Sequence, residues 1–398
     1  MQCRSSSDTH CAVNADNALS ESAVVRLLAS LVSTTTADTR RTLLEPLSPS
    51  EIGAVHAVAR AHGVEPWLAC SVPSPDGAWA AVAEQRLGFA AAHVRELAAL
   101  REIDAILADL DCPWLVVKGR ALAEDLYPRP DMRHNVDMDV LVPPTRFGDV
   151  LNALQDHRWR LLDRNWPLAA AMVPGELRLR SPRGDLLDLH WHLLASPAMR
   201  AQFRLPTSHL LGRRRWLASG LPVLHEVDQL VHLGAHGALS GADRLVWLLD
   251  AGLAARRISD WDAVASATRD ASLGCLLALV LARGRHVLGT PAPPKALSRM
   301  GASPAWRLAC RVVDRVSPLG SQPDRPALAR SFARSARRST TASLLEIASH
   351  GLAWLRSGAR RTRPASPLAD PHDERSPLYV ADDAAAMNLY LAVVEESA

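Results

Sequence analysis

The chain has 398 residues, 48% of them hydrophobic and 22% charged, which suffices for two or three domains with sizeable cores. Its 45 Lys and Arg face 42 Asp and Glu, a net charge of +3, and that near-balance argues, by charge alone, against a dedicated nucleic-acid binder. The longest apolar run, around Leu273–Val280, is broken by Arg283 and is too short to span a bilayer.

Residues 1–20 are polar and are expected to be disordered. They contain no apolar stretch of signal-peptide kind, so a cytoplasmic protein is expected. Cys3, Cys11, Cys70, Cys112, Cys275 and Cys310 show neither C-x-x-C nor Cys/His zinc spacing and read as reduced thiols. A helical region follows over 21–110. Ser20-Glu21-Ser22 caps a helix running to Val32, and Ser48-Pro49-Ser50-Glu51 opens another over Ile52–His62 that Gly63 ends. A long helix from Trp79 to about Asp109 shows a wide apolar stripe of Val82, Leu87, Phe89, Val94, Leu97, Leu100 and Ile103. This region reads as a scaffold packed on the core.

The core is expected over 111–204. Trp114–Val117 is a short strand ending at the turn Lys118-Gly119, where a glycine lets backbone N–H groups approach a phosphate. Ala121–Tyr127 has helical spacing and stops at Pro128 and Pro130. In the strand Val136–Val142 the alternation puts Asp137 and Asp139 on one face. Two such carboxylates repel, and a divalent cation with oxygen ligands would relieve them; the alternative is that they face water on an edge strand. Pro143-Pro144 opens a helix to His157 with Phe147, Val150, Leu151 and Leu154 inside. Trp159–Leu162 is a strand, and Asp163–Pro174 is irregular, a candidate flap. Glu176–Ser181 and Leu186–His192 form a hairpin carrying Asp188. Laid beside the first two strands, it would add a third carboxylate, and three carboxylates suffice for two Mg²⁺ ions. His190 shares the face of Asp188, as a metal neighbour, an acceptor-orienting group, a proton shuttle or a structural hydrogen-bond partner. Arg133 suits a triphosphate, and Arg120 and Arg129 read as surface charges. The fold class is α+β, a mixed sheet with helices on one face.

Lys118-Gly119-x-Ala121-Leu122, Leu126-Tyr127-Pro128, Arg133, Asp137-x-Asp139-x-Leu141-Val142 and Asp188-Leu189-His190-Trp191, in that order, resemble a family of uncharacterised bacterial nucleotidyltransferases of the polymerase-β-like superfamily. The resemblance runs from roughly Ala54 to Pro294. It implies a polymerase-β-like core and metal-dependent transfer of a nucleoside monophosphate from an NTP, most often ATP. Lys118, Gly119, Arg133 and His190 would bind the nucleotide, and Asp137, Asp139 and Asp188 would hold Mg²⁺ or Mn²⁺. The superfamily's usual Gly-Ser is Lys118-Gly119 here, the normal form in this family.

Downstream, 205–294 is a second helical domain behind a basic connector containing Arg213-Arg214-Arg215. In the helix Glu226–Leu239, His232 and His236 are four apart, but the glutamate of a zinc-protease helix is missing. Packing or substrate contact is expected of them instead. Arg244, Trp247 and Asp250 echo the family pattern. Asp250 is a candidate general base, with an ion pair to Arg244 or Arg256 as its alternative role. Residues 295–398 form a basic, partly disordered extension, with a helix at Leu344–Trp354, a Pro-rich linker at Ala365–Asp373 and a helix at Ala384–Val394. The extension either binds an anionic partner or folds back. The acceptor is expected to be a hydroxyl of a small molecule, peptide or protein. The alternative function on the same fold is a partner-binding or antitoxin-like regulatory protein.

Overall fold

The computed structural model describes residues 19–356 and 370–397, apart from 74, 291, 324 and 326. Residues 1–18 of the segment expected to be disordered, and most of the Pro-rich linker, thus fall outside the described residues.

Seven strands form one mixed sheet: β1 (Leu115–Val116), β2 (Asp137–Leu141), β3 (Arg160–Leu161), β4 (Glu176–Arg180), β5 (Leu186–His190), β6 (Arg215–Trp216) and β7 (Pro222–Val223). Their spatial order is β3-β4-β5-β2-β1-β7-β6. β2 runs parallel to β5 and antiparallel to β1, and β1 runs parallel to β7. The strand carrying Asp137 and Asp139 is therefore central, which overturns the edge-strand alternative. The basic connector carries the β6–β7 hairpin, which extends the sheet beyond β1.

Alternation sorts the strand residues into two layers. Met138, Val140, Leu177, Leu179, Leu187 and Leu189 bury one face against Phe147, Val150, Leu151 and Leu154 of the Phe147–Asp156 helix, as expected. The far half of the Ala80–Asp109 helix joins them through Ala99, Leu100, Ile103, Ile106 and Leu107. On the opposite face a small cluster of Leu115, Val117, Leu141, Leu210, Leu211 and Leu224 sits beside the acidic residues. Helices thus cover both faces, not one.

The long helix forms over the expected span, but its stripe is not continuous. Leu87 and Val94 are 78% and 66% exposed, because the helix passes from one core to another. Val82 and Phe89 lie in a second cluster built by the N-terminal helices, the Arg120–Leu126 helix and the helices between Glu226 and Arg334. At Glu21–Ser33 the Ser20 side chain accepts from the Ala23 N–H, and at Pro49–Ala61 the Glu51 carboxylate accepts from the Ser48 N–H at 2.9 Å, both as expected of caps.

One further expectation is corrected, and one of two alternatives for the extension is decided for its last helix. The candidate flap contains a helix, Trp166–Met172, packed against the Ala384–Glu395 helix. That second helix therefore folds back onto the sheet domain, with Tyr390 fully buried. The four described cysteines are free, three of them buried. Among the described residues no helix is long and apolar enough to cross a membrane.

Candidate functional site

The register of three strands assembles the site. Residues directly opposite one another share a face, so Asp139, Asp188 and Arg178 form one row across β2, β5 and β4, and Leu141, His190 and Glu176 form the next. Asp137 stands one pair further along β2, opposite Leu186. The turn after β1 completes the cluster. Gly119 has φ +65°, and a Cβ there would meet Asn135 Cγ at 3.2 Å, so glycine is required on both counts. That turn lets Lys118 reach back, its Nζ lying 2.7 Å from Asp139 Oδ1.

Asp139 is 1% exposed. Burial alone would raise its pKa, but Lys118 and His190 outweigh burial and hold the carboxyl far below the usual range. His190 Nε2 is 3.1 Å from Asp139 Oδ1, and its Nδ1 is 3.0 Å from Glu176 Oε2. Burial disfavours the charged ring, yet Glu176 and Asp139 push it up to about 10. Asp188, unlike Asp139, is raised, to about 7, through burial and then the charges of Asp139, Glu176 and Asp137. Asp137 is likewise raised, first by burial and then by Asp139.

Arg178 is taken up by Asp163 at 2.6 Å. When all four are ionised, Asp137, Asp139, Asp188 and Glu176 exceed the two cations Lys118 and His190 by two negative charges. One oxygen, Asp139 Oδ2, is buried with no hydrogen-bond partner. Ligand atoms of Asp139, Asp188 and His190 lie within 4.8 Å of one another. An orphaned carboxylate oxygen and a twofold charge deficit fit a divalent cation with oxygen ligands. His190 fits less well than the carboxylates, because an imidazolium offers no lone pair to a metal.

Arg133 and Asp250 come together, and Asp139 is among the charges that act on Arg133. Arg133 Nη2 lies 3.0 Å from Asp250 Oδ2 and its Nε 3.1 Å from Asp250 Oδ1, while the Tyr127 hydroxyl donates to Asp250 Oδ1 at 2.6 Å. The ion pair weighed for Asp250 exists, but its partner is Arg133 and not Arg244 or Arg256. Arg120 is buried, not a surface charge: it donates to the His93 ring and, at 3.1 Å, to the His93 carbonyl. Arg129 pairs with Asp131 and is partly exposed.

Three participants escaped the sequence reading. Glu176 opens β4, and only the register places it beside His190. Asn135 donates to Glu96 at 3.1 Å and accepts from Arg133. Glu96 is pushed up to about 7, chiefly by burial. Neither Asn135 nor Glu96 carries a local sequence signal, since they meet across 39 residues.

The model of the family described as uncharacterised nucleotidyltransferase matches residues 48–289, more than half of the chain. The chain belongs to that family. No curated protein matches it. The matched span is close to the expected one and contains the whole cluster, the Arg133–Asp250 pair and the helices as far as Leu288. The mixed sheet with its flanking helices suits a nucleotidyltransferase domain, and the family's generally metal- and NTP-dependent chemistry matches a cluster able to hold a metal.

Proposed function

We propose that the chain is a polymerase-β-like nucleotidyltransferase that moves a nucleoside monophosphate from an NTP, most often ATP, to a hydroxyl of a small molecule, peptide or protein. The observation that carries this is the Asp139–Asp188 row on adjacent central strands, with the Asp139 Oδ2 atom unpartnered beside it. Asp137, Asp139 and Asp188 would hold Mg²⁺ or Mn²⁺, which when bound acidifies the attacking hydroxyl and stabilises the leaving oxygen. Lys118, already seated against Asp139, supplies an ammonium for the triphosphate, and the Gly119 turn brings backbone close to it. His190 keeps Asp139 ionised and oriented. Arg133 lends positive charge through the loop that leads into β2, and Asp250 serves in this reading as the anchor of Arg133 and not as a base. The acceptor oxygen attacks the α-phosphorus, the bond to the bridging oxygen breaks, pyrophosphate leaves with the electron pair, and the hydroxyl proton is released to solvent.

The test is incubation of the purified chain with each α-³²P-labelled NTP, Mg²⁺ or Mn²⁺ and host lysate, beside Asp139→Asn and Asp137→Asn. Transfer of label by the wild type, and background counts from both folded variants, are expected. Full activity in either variant would sink the assignment.

A further inference from the structure

Three segments meet at the Lys118-Gly119 turn: the turn itself, the loop before β2 and the long Ala80–Asp109 helix. Backbone pairing between β1 and β2 ends where the Val117 N–H donates to the Asp139 carbonyl at 3.0 Å. Past that point the turn leaves the sheet, and two side-chain contacts tie it to the β2 segment. One is Lys118 on Asp139, at 2.7 Å. The other is Asn135, which stands two residues before Asp137 and is 8% exposed.

The Asn135 amide lies flat on the glycine. A Cβ built on Gly119 would stand 3.2 Å from Asn135 Cγ, 3.4 Å from its Oδ1 and 3.5 Å from its Nδ2. Near-equal distances, shortest to the central carbon, mean that the amide presents its face to the turn. Its two edge atoms are left for hydrogen bonds in the amide plane, and both make them. Oδ1 accepts from Arg133, which Asp250 holds in turn, and Nδ2 donates to Glu96 Oε2 at 3.1 Å. Reversing the amide would set its NH₂ group against a guanidinium that only donates, so the partners fix its orientation. Glu96 belongs to the long helix and Asp250 to the Leu245–Arg257 helix. The amide is therefore pinned from two separate elements. Gly119, at φ +65°, has no side chain of its own to hold that conformation. Asn135 supplies the support from outside.

We infer that Asn135, set by Glu96, is a positioning residue that holds the Gly119 turn in the conformation that receives the triphosphate. The inference rests on the nucleotidyl-transfer reading and adds two residues to it, neither of which is asked to touch nucleotide or metal. Without the amide the glycine gains other conformations, and a phosphate must then collect the turn's N–H groups at an entropic cost. Metal binding by Asp137, Asp139 and Asp188 does not use the turn, so it stays.

The experiment uses the full chain and reads two ligands separately: Mg·ATP by calorimetry, and Mn²⁺ alone by electron paramagnetic resonance. Asn135→Ala should weaken Mg·ATP binding by about tenfold, roughly one well-placed hydrogen bond to a phosphate, and leave the Kd for Mn²⁺ within about twofold. Glu96→Ala should reproduce both results from a different element. The double variant should bind no more weakly than either single one, because the two residues act through one contact. Glu96→Gln keeps an acceptor for Asn135 Nδ2 and should bind Mg·ATP as the wild type does. Melting temperatures establish that each variant is folded at the assay temperature; if Asn135→Ala is not, the two Glu96 variants read the same contact. Unchanged Mg·ATP binding in the folded alanine variants, an equal loss of Mn²⁺, losses that multiply in the double variant, or a Glu96→Gln as weak as Glu96→Ala would overturn the inference. A wild type that binds neither Mg·ATP nor Mn²⁺ would instead sink the nucleotidyl-transfer reading, and this inference with it.

Discussion

Arg133 and Asp250 illustrate how one residue's role depends on where its partner is. The Arg133 side chain is 11% exposed and that of Asp250 is 3% exposed, so each would be a stranded charge without the other. Arg133→Met leaves the Asp250 carboxylate buried with only Tyr127 to stabilise it, and a loss of about 3–5 kcal/mol is expected by urea denaturation. Arg133→Met combined with Asp250→Leu should lose less than the two single changes together, because no uncompensated charge remains. Equal and additive losses would mean that the pair contributes nothing as a pair. The same logic governs Asp139: with Lys118 and His190 both at Oδ1, one carboxylate oxygen is neutralised and the other is left for a ligand.

At the scale of elements, the Pro49–Ala61 helix and the Leu245–Arg257 helix are joined end to start by His62. His62 is fully buried; its Nδ1 accepts from the Leu245 N–H at 3.2 Å, and its Nε2 donates to the Gly320 carbonyl at 2.9 Å. This arrangement needs a neutral ring, and burial pushes the pKa down from 6.5 to about 4. The unfolded chain therefore takes up a proton at higher pH than the folded one. The stability contributed by neutral His62 is complete above about pH 6.5 and is lost as the pH falls toward 4. His62→Gln should flatten the stability-versus-pH curve over that window in urea titrations, while lowering stability at neutral pH through the imperfect fit of its amide. An unchanged acid limb would show that other groups set it. The long Ala80–Asp109 helix plays a comparable joining role, and its passage between two cores explains why Leu87 and Val94 lie in solvent despite their apolar spacing.

Across the whole molecule, the Ala384–Glu395 helix lies far along the chain from the sheet it braces. The Trp191 indole N–H donates to the Tyr390 hydroxyl at 3.0 Å and to the Pro174 carbonyl at 2.8 Å, and the Tyr390 hydroxyl donates to the same carbonyl at 3.0 Å. Trp191 directly follows His190, so this helix buttresses the end of the strand that carries the site. Tyr390→Phe is expected to cost about 1 kcal/mol and Tyr390→Ala about 3–5 kcal/mol in denaturant unfolding. A neutral Tyr390→Ala would show that the helix is dispensable to the sheet.

The carboxylate pair on β2, the hairpin with Asp188, the Lys118-Gly119 turn and most helix boundaries were legible in the sequence, because each depends on spacing within a few residues: period two along a strand, caps and prolines at helix ends, a glycine where φ is positive. The family was legible for the same reason, as short blocks in a fixed order. Pairings across the chain were not. Strand order made β2 central and brought Glu176 to His190; helix packing joined the N-terminal helices to those beyond Glu226 and placed Arg133 on Asp250; the fold-back of the Ala384–Glu395 helix turned an expected flap into a packed layer. These outcomes follow from which faces bury one another, a property of the whole packed chain that no local window of residues contains.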